Sequence, residues 1–148
     1  LMRYTINRIK TGEDELILNY QQTNAEVEAI FAFMENQQKK LVGRADGEVI
    51  VFSPQEILYI EKVDEKTFAY TMDQVIQLDL SLAMAGLILN DEKYFRCSKS
   101  MIVNVGKVER LRSLPSNRID ATLASGEHII ISRTYAADFR RLLKGEQR

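Results

Sequence analysis

From residue 41 onward the chain is cut into apolar stretches too short for helices, each ended by turn-forming residues. EVIVF, EILYIEKV, KTFAYTM, QVIQLDL, SMIVNV, KVERLRSL, RIDATLA and EHIIIS are five to eight residues long and rich in β-branched and aromatic side chains. Pro54, Pro115–Asn117 and Ser125–Gly126 punctuate them, and both prolines fall between segments, where no ladder hydrogen bond is lost. Eight short strands at this spacing predict antiparallel sheets in a sandwich or barrel. Two helices interrupt the run. One starts near Ser81 and runs through LAMAGLIL; the other is capped by Ser132, turns Tyr135, Phe139 and Leu142 inward and leaves Arg140, Arg141 and Lys144 outside.

Residues 1–41 read as a separate ββα extension, ahead of a β-rich unit at 42–148. Alternation in RYTINRI and the apolar run LILNY predict two strands joined by a turn at Gly12–Asp14. A helix over Asn24–Gln37 follows, with Thr23 and Glu26 at capping-box spacing and Val27, Ile30, Phe31 and Met34 at i, i+3, i+4, i+7. Ala29, Ala32 and Phe33 widen that stripe beyond the needs of one small sheet. The surplus covers either the main unit or a partner.

A chain of 148 residues can bury roughly 68–70% of its unfolded surface and needs no metal or disulfide to hold a core. Its single cysteine excludes an internal disulfide framework, and no apolar run approaches a membrane span, which makes a cytoplasmic setting the expectation. The net charge of −1 hides a strong asymmetry. Residues 1–41 carry 5 Lys/Arg against 6 Asp/Glu, residues 42–94 carry 4 against 10, and residues 95–148 carry 11 against 5, so the successive nets are −1, −6 and +6. A basic final third points to a polyanion-facing surface, and the acidic middle would repel a polyanion from the wrong face.

Enzyme chemistry finds few candidates. His128, the sole histidine, lies in a strand; one Cys and one His cannot form a common zinc site; and no phosphate loop or G-x-G-x-x-G is present. The acidic pairs Asp64–Glu65 and Asp91–Glu92 fall in turns. The chain reads as a non-enzyme without metal, cofactor or small-molecule substrate. Cys97 is either a small hydrophobe on the inward face of its segment or, between Arg96 and Lys99, a thiolate able to sense oxidants. Three cationic segments remain: Lys62–Thr67, Arg96–Ser100 and Ser132–Arg133. Each stands at the boundary of a regular element, where Lys and Arg can neutralise phosphate, Arg can fork onto a guanine edge, and hydroxyls can serve either purpose.

ILYIE (57–61), YFRCSKSMIVNVGKV (94–108) and LASGEHIIISRTY (123–135), in this order and spacing, resemble the LytTR (LytR/AlgR-type) DNA-binding domain over roughly residues 42–146. The resemblance implies a mainly β fold, an elongated stack of small antiparallel sheets with short helices. It also implies a bacterial transcription regulator whose loops enter successive major grooves of paired direct repeats in promoter DNA and bend it. By position the DNA-binding residues are Lys66, Thr67, Arg96, Ser98, Lys99, Ser100 and Arg133. Arg133 and Lys99 would read base edges, Arg96 and the hydroxyls would anchor phosphates, and Lys66–Thr67 would reach the adjacent groove. Asn104 fits the family pattern, but on an apolar strand it is expected to tie down a neighbouring backbone group. A serine stands at 98 where many members have histidine, so their base preference does not carry over there.

Only about 40 residues precede the matching region, too few for a receiver domain, so phosphorelay control through this chain is not expected. The arrangement is similar to compact members restrained by a membrane-embedded inhibitor protein. Val27, Ile30, Phe31, Phe33 and Met34 would then form the docking surface for that inhibitor or for a second copy, with a homodimer at least on DNA. The alternative from another class is a β-rich interaction module whose basic face meets an acidic partner protein.

Overall fold

The structure, a computed structural model, describes residues 2–89 and 93–145; the acidic pair Asp91–Glu92 lies outside the described residues. Among the described residues are ten strands and three α-helices. In chain order they are α1 (Ala25–Gln38), β1 (Leu41–Ala45), β2 (Glu48–Phe52), β3 (Tyr59–Val63), β4 (Lys66–Tyr70), β5 (Val75–Leu78), α2 (Leu82–Ile88), β6 (Tyr94–Ser98), β7 (Met101–Asn104), β8 (Val108–Leu114), β9 (Arg118–Leu123), β10 (His128–Ile131) and α3 (Arg133–Leu143). The fold is mainly β and wholly antiparallel in its pairing, as expected. It has two sheets: a seven-stranded one ordered β2-β1-β5-β4-β3-β7-β6 and a three-stranded one ordered β10-β9-β8.

Period-two alternation sends successive side chains to opposite faces of the large sheet, and both faces are covered where β3 and β7 run. Tyr59, Val103, Phe95 and Cys97 point to one face, where they meet Ile119, Ala121, Ile129 and Ile131 of the small sheet and Ala136 and Phe139 of α3. Ile60, Ile102, Ala69 and Ile76 point to the other face, under Leu82, Ala85 and Leu89 of the α2 segment. The result is three layers: α2, the large sheet, and the small sheet with α3. Tyr59 and Tyr70 stack at 4.3 Å between ring centroids, and the Tyr59 hydroxyl donates to Glu127 at 2.9 Å, stapling the sheets together. Desolvation, with that carboxylate partner, raises the Tyr59 phenol above its ordinary value.

Several expectations are corrected. Residues 2–23 contain no strand. Their apolar side chains have no sheet to bury against, and Ile6 is 98% exposed. Asn24, rather than Thr23, caps α1, because its side chain accepts from the Val27 amide at 2.9 Å. The first strand takes in Leu41, so a boundary after that residue cuts through β1. Its central Gly43 is required: a Cβ there would stand 2.6 Å from the Gln77 carbonyl oxygen across the ladder.

Candidate nucleic-acid interface

Strand register gathers the three cationic segments. β3 climbs to Val63 and β4 descends from Lys66, so their turn is Asp64–Glu65, both at positive φ (51° and 65°), the geometry of a two-residue hairpin turn. β7 lies antiparallel to β3, with Glu61 opposite Met101, and β6 finishes beside it with Ser98 opposite Met101. The β3–β4 and β6–β7 turns therefore project from the same end of the sheet. The Lys62 amide donates to the Ser100 carbonyl at 2.8 Å and locks them side by side. The Ser132 amide donates to the Cys97 carbonyl at 2.9 Å, which brings the start of α3 to that end as well.

Lys66, Lys99 and Arg133 are all exposed, and among the described residues none of the three forms a salt bridge. Three strand spacings separate β4 from β6, about 14 Å, and α3 packs a further ~10 Å off the sheet.

The other candidates have different roles. Thr67 is 4% exposed, because the alternation that sends Lys66 outward turns its neighbour under the start of α2. There Thr67 lines a cleft of about 370 Å³ bounded by Lys62, Lys66, Gln77 and Leu82, so it is not a free hydroxyl at the tip. Arg96 is a brace before it is a phosphate anchor. Its Nε donates to the Ser98 carbonyl at 2.7 Å and its Nη2 to the Lys99 carbonyl, so the guanidinium closes the turn that presents Lys99. Ser98 serves the same end: its hydroxyl accepts from the Ser100 amide at 3.2 Å and lies 3.5 Å from the Ser100 hydroxyl. Asn104 ties down backbone as expected, donating to the Ile57 carbonyl at 2.9 Å and accepting from the Gly106 amide at 3.0 Å.

Cys97 is fully buried and burial pushes its thiol up to about 12, against the slight opposing influence of Arg96, so the reading as an exposed thiolate is replaced by the hydrophobic one. Asp64 and Glu65 crown the β3–β4 turn beside Lys66, with Glu65 3.4 Å from Lys62; the acidic middle of the sequence is not kept away from the cationic end. Arg118 was missed from the sequence. It lies one position beyond the Ile119–Ile131 pair, hence at this end too, exposed and donating to the Pro115 carbonyl at 3.2 Å. The turn at Pro115–Asn117 directly before it was the available signal.

On α1, Val27 is 2% exposed and belongs to the interior, not to a docking face. Ile30 and Met34 are half-buried. Phe31 meets Tyr20 edge-on at 5.3 Å, and Phe33 carries the Lys93 ammonium 5.8 Å from its ring centroid.

The LytTr DNA-binding domain family model matches residues 47–144, two thirds of the chain. The chain belongs to the LytTr DNA-binding domain family. Transcriptional regulatory protein YpdB of Escherichia coli O6:H1 is 27% identical over 124 residues, covering 83% of this chain and 50% of that protein. Sensory transduction protein LytT of Bacillus cereus is 21% identical over 108 residues, 73% of this chain and 44% of that protein. The chain thus spans about half the length of these LytTr relatives. The LytTr DNA-binding domain of a methyl-accepting/DNA response regulator from Bacillus cereus shares the fold, with a TM-score of 0.68 at 24% identity over 72% of this chain and 97% of that one. Among the described residues no helix is long and apolar enough to cross a membrane, and no group of three His, Cys, Asp or Glu residues is placed to hold a metal ion.

Proposed function

We propose that the chain is a sequence-specific double-stranded DNA-binding transcriptional regulator that grips DNA through the end of the sheet bearing Lys66, Lys99 and Arg133. The observation that carries this reading is the convergence of three exposed cations, each on a different braced element, at one end of a LytTr fold. Lys99 and Arg133 read base edges. Lys66 and Arg118 neutralise backbone phosphates. Arg96, Ser98 and Ser100 hold the central turn in shape and reach phosphate where geometry allows. Rigid tips gathered at one end of the sheet suit loop entry into successive major grooves, and drawing the duplex onto all of them bends it. Two copies occupying paired promoter repeats would supply the dimer on DNA. The exposed rings of Phe31 and Phe33 are the part of α1 left for a protein partner such as a membrane-embedded inhibitor.

The test is in-vitro selection of binding sites followed by anisotropy titration of selected and scrambled duplexes. A base contact contributes roughly 1–3 kcal/mol of discrimination, so Arg133→Ala should weaken the selected duplex roughly 5- to 150-fold and leave the scrambled one nearly unchanged. Lys66→Ala should weaken both and lower the salt slope by about one. Equal, feeble binding of both duplexes by the unaltered chain would favour the interaction module that meets an acidic protein.

A further inference from the structure

The strand β2 is an edge of the large sheet, with β1 as its strand partner. Among the described residues no further strand pairs with its outer side. Residues 48–52 hold no lysine, no proline and no register shift, and exposed Glu48 is the one charge along them. The face beside this edge carries four exposed valines, with Arg44 and Gln77 among them. Val49 and Val51 of β2 are 70% and 63% exposed, and Val42 of β1 and Val75 of β5 lie with them at 60% and 48%. Register puts all four on one face, because Leu41, Ile50, Phe52 and Ile76 point to the opposite, buried one.

The N-terminal arm has the complementary deficiency. Residues 3–9, RYTINRI, alternate as a strand does, yet they lie in no sheet. Tyr4 and Ile6, which strand alternation would place on a common face, are 69% and 98% exposed. The charges are matched too. Residues 3–10 carry Arg3, Arg8 and Lys10 and no acid, while the β1–β2 hairpin exposes Asp46 and Glu48, its Arg44 being paired to Asp79 at 2.8 Å. The arm's Tyr4 hydroxyl is tied to Glu26 of its own α1.

We infer that the arm of one copy adds as a strand along the β2 edge of a second copy, laying Tyr4 and Ile6 over the valine face. Strand addition satisfies the open backbone groups of the edge and of the arm at once. The edge lies across the sheet from β6, so such a pair leaves the β3–β4, β6–β7 and α3 ends free. The inference does not depend on what those ends bind.

Cysteine pairing on the full chain tests it. Ile6→Cys in one sample and Val49→Cys or Val51→Cys in another are exposed changes that leave the fold intact, and Cys97 is buried and its thiol pushed up to about 12, so it does not compete. Mixed under mild oxidation, the two samples should give a covalent dimer holding one chain of each kind. Sedimentation of the unaltered chain should show a concentration-dependent dimer that Val49→Lys with Val51→Lys reduces to monomer. The inference is overturned if the mixture stays uncrosslinked. It is equally overturned if a chain carrying Cys at both 6 and 49 closes only on itself, since the arm would then cover its own edge. A dimer untouched by the lysine pair would also contradict it.

Discussion

The large sheet has two edges, and they are finished in opposite ways. At β6 the edge is roofed: β10 and α3 pack against it, the Ser132 amide bonds to the Cys97 carbonyl, and Phe95 and Cys97 are 1% and 0% exposed. At β2 the edge is bare and its outward valines stand in solvent. The same pattern of β-branched and aromatic residues produced both. What differs is whether a later part of the chain returns to cover them. The roofed edge becomes a stiff mount for Lys99 and Arg133; the bare edge retains capacity for a further strand.

Removing the roof should have the largest effect. Phe139→Ala deletes a ring with no exposed surface that packs on Phe95 at 5.4 Å between centroids. It should cost about 3–5 kcal/mol in denaturant unfolding, whereas Val51→Ala on the bare edge should stay within about 0.5 kcal/mol. Comparable costs at the two sites would erase the contrast. A finer probe is Arg96→Lys, which keeps the charge but loses the fork that holds two carbonyls. If Arg96 acts as a brace, affinity for the selected duplex should fall by roughly 1 kcal/mol, about fivefold, because Lys cannot reproduce a two-point grip. Full affinity in the lysine variant would return Arg96 to the role of a simple phosphate anchor.

The smallest effect concerns the outer face of the small sheet, where Asp120 sits between His128 at 2.9 Å and Arg112 at 3.1 Å. The hydrogen bond from His128, then its charge and that of Arg112, hold the Asp120 carboxyl below its ordinary value. A carboxyl depressed on folding stabilises the protein above its unfolded pKa of about 3.9 and loses that contribution as pH falls through the lower folded value. His128→Asn should therefore lower stability slightly at neutral pH, where that contribution is fully present, and shift the acid-unfolding midpoint slightly upward in pH. An unshifted midpoint would remove His128 from the list of stabilising partners.

Much of this was legible in the sequence where one local rule governed. Short β-branched runs gave eight strands, and alternation put Cys97 inside and placed Phe139 on the buried face of its helix. Three blocks of residues carried the family likeness. What was lost depended on partners distant in sequence. LVGRA is a strand with a glycine at its centre, and only the approach of β5 explains that glycine. YFRCS is a strand whose polar positions, Arg96 and Ser98, make it resemble the loop that follows, and that turn is closed by Arg96 itself. RYTINRI has a strand's pattern but no neighbour to pair with in this chain. Thr67 was assigned to the tip because sequence does not show that α2 begins over it, and Arg118 joins the cationic end only through the β9–β10 register.

The central claim is that three separately mounted cations act together on one duplex. The most direct measurement is the anisotropy ratio between selected and scrambled duplexes for the chain carrying Lys66→Ala, Lys99→Ala and Arg133→Ala, beside the unaltered chain at the same salt. The predicted result is a ratio that collapses towards one while the unfolding curve stays in place, since all three side chains are exposed. A triple variant that still prefers the selected duplex as strongly as the unaltered chain would show that DNA is read from some other part of the surface.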